Sequence, residues 1–174
     1  MKILILGGYG FIGSAISSQL IKQGHQVGVV DCFHQYYTFP NWEYGPVLAQ
    51  RKAMANPTKD YIGKIEDVSF MENVFEDFKP QRVIHVATYP NAKMIPRNVT
   101  DATTNMVTAT AYVLDLCVKH KVEKIVFASS SMVYGDFVDG TREEASTKPQ
   151  NIYGEAKLTG ERLTKLFAKR DGLN

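Results

Sequence analysis

Residues 1–20 read MKILILGGYGFIGSAISSQL. Four apolar residues at 3–6 run straight into glycines at 7, 8, 10 and 13. Phe11, Ala15, Ile16 and Leu20 then recur at the spacing of one helix face, and Gly24 closes the stripe. A strand, a glycine turn and a helix in immediate succession predict a phosphate cradle. Gly7 permits the tight turn, Gly10 lets a pyrophosphate approach the backbone, and Gly13 lets helix and strand pack closely. The free N–H groups and the positive end of the helix dipole would face the phosphates. The plainer alternative is that the glycines only make the strand-to-helix turn.

The same rhythm continues along the chain. Short runs rich in Val and Ile at 27–30, 61–65, 83–87 and 125–128 do not alternate with polar residues, so they read as strands buried on both faces of a parallel sheet. Helical stripes fall between them: Phe70, Val74 and Phe78, stopped at Pro80, then a long segment at 103–120 and a last one at 152–169. This order predicts an α/β, Rossmann-like, doubly wound parallel sheet with helices on both faces, in one domain spanning 1–174. The exception is 32–60, which reads as a long aromatic-rich connection with only a short helix at 47–55.

Composition narrows the function. The 174 residues are 44% hydrophobic with a net charge of +2, enough for a core and without the basic run that a nucleic-acid surface needs. No apolar stretch is long enough to span a membrane, and the start is a strand pattern rather than a leader, so a cytoplasmic protein is expected. Cys32 and Cys117 stand far apart, with no Cys or His at metal spacing. Both are expected to be buried, reduced thiols, and no metal site is expected.

Asp31 ends the second strand, 18 positions beyond Gly13, where a carboxylate can accept hydrogen bonds from both hydroxyls of a ribose. It would repel a ribose phosphate, and no Arg or Lys follows in the sequence to receive one, so NAD is favoured over NADP as cofactor. Asp67 either accepts from an adenine amine or caps the helix that follows. Farther on, Ala-Ser-Ser-Ser-Met-Val-Tyr-Gly ends the fifth strand, and Tyr153 and Lys157 share one face of the next helix. Lowering a tyrosine from a pKa of about 10 to near 7 needs about 4 kcal/mol. An ammonium at about 4 Å supplies that much at an effective dielectric of about 20, so the lysine alone is expected to suffice. A strand-end serine would hold the substrate oxygen while the tyrosine moves a proton.

Residues 7–13 (GGYGFIG), the strand end His85-Val86-Ala87, Asn105 followed by Thr110, residues 129–135 (SSSMVYG), and Pro149 ahead of Tyr153 to Lys157 together resemble the extended short-chain dehydrogenase/reductases. Within them the chain resembles the NAD-dependent epimerase/dehydratase family, whose members act on nucleotide sugars. The resemblance covers residues 1–169 and implies a catalytic set of Ser130, Tyr153 and Lys157, with Ser131 as the alternative hydroxyl. It implies cofactor contacts at Gly7, Gly10, Phe11, Ile12, Asp31, Asp67, Val68, Ala87 and Thr88, with Tyr153 and Lys157 also meeting the nicotinamide side. Two departures stand out. Ala87-Thr88 replaces the usual Ala-Ala, and the family's C-terminal substrate domain is not seen before the chain stops at Asn174.

The expected function is therefore an NAD-dependent oxidoreductase of the epimerase or dehydratase type acting on a nucleotide sugar. The alternatives are an NAD-binding sensor module without turnover and an interaction protein. Two structural expectations accompany it. Met106, Ala109, Thr110, Val113, Leu114 and Cys117 carry more apolar surface than one sheet face needs, which together with the family resemblance points to a homodimer through 103–120 and 152–169. The strand at 124–129 should lie at the sheet margin, leaving Tyr153 and Lys157 wetter than the electrostatic argument assumes.

Overall fold

The computed structural model describes residues 1–34, 40–89, 98–136 and 141–174, the side chain of Asn41 excepted. Five parallel strands, β1 (Lys2–Leu6), β2 (Gln26–Asp31), β3 (Lys59–Ile62), β4 (Arg82–His85) and β5 (Lys124–Phe127), form one sheet in the order β3-β2-β1-β4-β5. Helices α1 (Phe11–Lys22), α2 (Asn41–Ala55), α3 (Val68–Phe78), α4 (Val99–Thr103), α5 (Ala109–Lys119) and α6 (Ile152–Asp171) join them. A π-helical turn at Thr104–Thr108 links α4 to α5, and a 3₁₀ turn at Ser131–Tyr134 follows β5. The doubly wound sheet is as expected, and its order reverses between β1 and β4, where such sheets open a crevice.

The unalternating strands are explained by burial on both faces. Leu4, Leu6 and Val83 point to one side, against Phe75 and Phe78 of α3 and Leu114 and Cys117 of α5. Ile5, Val27 and Val29 point to the other, against Ile16 and Leu20 of α1. The edge strand β3 starts two residues earlier than the apolar run suggests. Its Lys59 and Asp60 are exposed, and a sheet edge does not require apolar residues there.

Four expectations are corrected. The segment 32–60 holds a full helix, α2, of 15 residues rather than a short one. Pro46 lies within it, and together with Gly45 it hides the periodicity; residues 35–39 of the aromatic stretch lie outside the described residues. Cys117 is buried as expected, but Cys32 is exposed. Met106, Ala109, Thr110, Val113, Leu114 and Cys117 are all buried within the single chain, so none is left over for a seam with a second copy. Finally, β5 is a margin as expected, but Ile125 N donates to the carbonyl of Asn174 at 2.7 Å, so the last residue already pairs with that edge.

The glycine turn is packed backbone against backbone. Gly7 adopts φ +83°, and a Cβ there would lie 2.8 Å from the nitrogen of Ala87. A Cβ on Gly13 would lie 2.2 Å from the Gly7 carbonyl oxygen, inside any permitted contact. Gly13→Ala is therefore expected to destabilise the fold by about 2–4 kcal/mol, lowering Tm by roughly 5–15 °C. Gly45→Ala, within α2 and facing open space but directly before Pro46, should change stability by no more than about 0.5 kcal/mol, the gain in helix propensity being offset by crowding of the new Cβ against the proline ring. Thermal unfolding of the two variants checks the contrast.

Candidate functional site

The crevice at the sheet reversal is a cleft of about 350 Å³. Gly7, Gly10, Phe11, Asp31, Ala87 and Thr88 line it, as the sequence leads one to expect. Gly13 acts beneath it through packing, and Ile12 faces outward, 59% exposed. No side chain caps α1, so the N–H groups of its first turn face the cleft mouth without a side-chain partner. Asp31 is held by two backbone donors, Tyr9 N to Oδ2 and Phe33 N to Oδ1, each at 2.9 Å. Each oxygen keeps a lone pair for a further donor. Asp67 caps α3, its Oδ1 accepting from Phe70 N at 3.0 Å, and neither Asp67 nor Val68 lines the cleft.

Of the lining residues given no site role from the sequence, three bear on the chemistry. Tyr44 and Arg51 come from α2, which brings a cation to the Asp31 end of the cleft. The premise that no cation is available there is thus corrected, and discrimination against a ribose phosphate rests on Asp31. Their only signal was the unrecognised helix. The third, Asn105, was legible as a polar residue inside an apolar helical run. It is 6% exposed, its Nδ2 donates to Glu66 Oε1 at 3.0 Å, and its Oδ1 is buried without a partner among the described residues. Thr88 Oγ1 is likewise buried and unpartnered.

Beside the cleft, beyond β5, the structure brings Ser130, Tyr153 and Lys157 together. Ser130 sits at the extended N-cap of the 3₁₀ turn and hydrogen-bonds Tyr153, whereas Ser131 lies inside that turn. Asn151 caps α6, accepting from Gly154 N at 2.9 Å, which fixes the helix turn bearing Tyr153. Lys157 Nζ donates to the Ala128 carbonyl at 2.8 Å and stands 6.0 Å from the Tyr153 ring centre. Two expectations fail here. Lys157 is not wet, being only 3% exposed, whereas Tyr153 is half-buried. Nor does the lysine make the tyrosine acidic: burial pushes the Tyr153 phenol up, with the Ser130 hydrogen bond pulling the other way, and burial pushes Lys157 down to about 8. Among the described residues no group of His, Cys, Asp or Glu is arranged to hold a metal, and no helix is long and apolar enough to cross a membrane.

Known proteins share this architecture. The profile of the NAD dependent epimerase/dehydratase family matches residues 3–174. A UDP-glucose 4-epimerase of Lactobacillus helveticus is 32% identical over 177 aligned positions, covering 99% of this chain and 49% of that protein. A dTDP-D-glucose 4,6-dehydratase of Dictyostelium discoideum is 29% identical, covering 97% of this chain and 40% of that protein. The crystal structure of UDP-glucose 4-epimerase from Bifidobacterium longum in complex with NAD+ and UDP superposes with a TM-score of 0.84 at 28% identity, covering all of this chain and 51% of that one. The chain thus spans about half the length of the relatives it matches.

The buried lysine gives a pH signature. Its folded pKa lies below the ordinary 10.5, so between about 8 and 10.5 the unfolded chain holds a proton that the folded chain has released. The contribution of Lys157 to stability should therefore rise with pH across that window. Lys157→Met should remove this rise, so that in urea unfolding the stability of the wild type increases relative to that of the variant as pH increases. Parallel curves would contradict the burial of an ionisable Lys157.

Proposed function

Because the chain belongs to the NAD dependent epimerase/dehydratase family, we propose that it binds NAD in the cleft between β1 and β4 and serves hydride transfer on a nucleotide sugar. The observation that carries this reading is the placement of the Ser130–Tyr153–Lys157 group beside a glycine-floored cleft that holds two unsatisfied buried polar atoms. The chain's own groups fit the cofactor. The α1 amides suit the pyrophosphate, the Asp31 lone pairs suit the adenosine ribose hydroxyls, and Thr88 Oγ1 and Asn105 Oδ1 have no partner among the described residues where a polar ligand would lie.

When bound, NAD would supply the site with a reversible acceptor for the sugar's hydride. The residues do the rest. Ser130 orients the reacting hydroxyl through its own, and Tyr153 takes or gives the hydroxyl proton at its phenol oxygen. Lys157, fixed to the Ala128 carbonyl, sets positive charge 6.0 Å from the centre of the Tyr153 ring. The half-buried phenol resists ionisation, so its acidity in the reaction depends on charge brought by the cofactor. The proposed setting is cytoplasmic, and the proposed assembly is a homodimer through 103–120 and 152–169, where Val107, Tyr112 and Val118 are half-buried and Leu166 is 61% exposed.

Gly10 separates a phosphate cradle from a mere turn. Its φ is −68°, and an added Cβ would meet only the Gly7 carbonyl oxygen, at 3.2 Å. Gly10→Ala should stay within about 1 kcal/mol of wild-type stability while losing at least about tenfold in NAD affinity by calorimetry. The wild type should bind NAD at least about tenfold more tightly than NADP. Equal affinities would remove the role given to Asp31.

Turnover is tested with NAD and UDP-glucose, following conversion of the sugar nucleotide by NMR, because a hydride that is taken and returned leaves no net reduced nicotinamide. Tyr153→Phe should slow any conversion by about 100-fold or more with NAD affinity nearly unchanged. NAD binding by the wild type without conversion of any sugar nucleotide would make this chain a binding module.

A further inference from the structure

The proposed reaction leaves unused a buried hydrogen-bond chain between β4 and α5. His85, 1% exposed, places Nε2 at 3.1 Å from Thr110 Oγ1. Thr110 is equally buried, and its hydroxyl donates to the Met106 carbonyl at 2.8 Å. A threonine hydroxyl has one proton, so towards His85 it can only accept, and the imidazole carries its hydrogen on Nε2. Burial, reinforced by the Lys157 charge, lowers the His85 pKa to about 3, so the ring stays neutral and the direction of the chain is fixed.

The chain ends in the π turn. There the Ala109 N–H reaches back five residues to the Thr104 carbonyl. Such a turn holds one residue more than an α-helical turn and displaces carbonyls from their regular partners. Each residue advances a helix by about 100°, so the extra one re-aims the side chains before it relative to those after it. Asn105, adjacent to Met106 within this turn, is the residue aimed into the cleft with Oδ1 unpartnered.

We propose that the His85–Thr110–Met106 chain is a latch that holds the π turn, making His85 and Thr110 positioning residues for the Asn105 amide. The inference rests on the cofactor reading of the cleft. Thr110→Val keeps the shape but removes the hydroxyl, Thr110→Ser restores it, and His85→Gln retains an Nε2 donor that His85→Leu lacks.

Titration with NADH, followed by its fluorescence, is the first measurement. Asn105→Ala and Thr110→Val are each expected to weaken binding by about fivefold. The double variant should be no weaker than Asn105→Ala alone, and Thr110→Ser should fall within about twofold of wild type. His85→Gln and His85→Leu give the same contrast if Thr110→Val does not fold. The second measurement needs no cofactor: the Asn105 side-chain amide resonance should shift and lose protection from exchange in Thr110→Val and recover in Thr110→Ser. Multiplicative losses in the double variant, or an Asn105 resonance unmoved by Thr110→Val, would overturn the latch. Absence of NADH binding by the wild type would overturn the cofactor reading instead, and the resonance would still decide the latch.

Discussion

The contact on which the molecule is organised is the one between the backbone of Gly7 and that of Ala87. In a parallel sheet neighbouring strands discharge their loops at the same end, and those loops compete for room. At the reversal of strand order, β1 and β4 send their chains to opposite faces, yet their first residues must still pass each other. A left-handed glycine lets them touch without a side chain between. That closeness makes the cleft floor backbone, brings α1 in at an angle that Gly13 must accept, and sets Thr88 beside the glycine loop. The Tyr9 N–H then reaches Asp31, joining the first loop to the end of β2.

What the sequence disclosed followed from how local each cause was. Apolar runs buried on two faces announce themselves, so the sheet class and the glycine loop were legible. Asp31 and the Tyr153–Lys157 spacing were legible because a strand end and a helix face are short-range facts. Tyr44 and Arg51 were not, because Gly45 and Pro46 mask the helix that carries them, and only the fold brings that helix to the Asp31 end of the cleft. Asn105 could be noticed as a polar residue in an apolar run, but no spacing rule announces the π turn that aims it.

The electrostatic misreading has a physical origin. Treating Tyr153 and Lys157 as an isolated pair in a uniform medium credits the attraction and omits what each group loses on leaving water. In the fold that loss acts on both partners and in the same sense, against a charged pair: the phenol is pushed up and the ammonium down. The lysine is further committed to the Ala128 carbonyl, which fixes its place without supplying a countercharge.

Helix α2 is supported in an uneven way. Its last turn is anchored where the Ser17 hydroxyl donates to the Ala55 carbonyl at 2.8 Å and where the Lys52 ammonium lies 4.1 Å from the centre of the Phe33 ring. Ala55 is fully enclosed, whereas no side chain described from Trp42 to Met54 is buried. Pro46 removes one internal hydrogen bond from the outer half, and no side chain caps its start. The wall of the cleft is thus a cantilever, clamped beside β2 and without a buried described side chain along its outer part, with Arg51 near the clamp and Tyr44 out along the beam. A load applied through Tyr44 acts with more leverage than one applied through Arg51. The aperture on this side is therefore governed by the stiffness of one helical turn, while the backbone floor opposite does not yield.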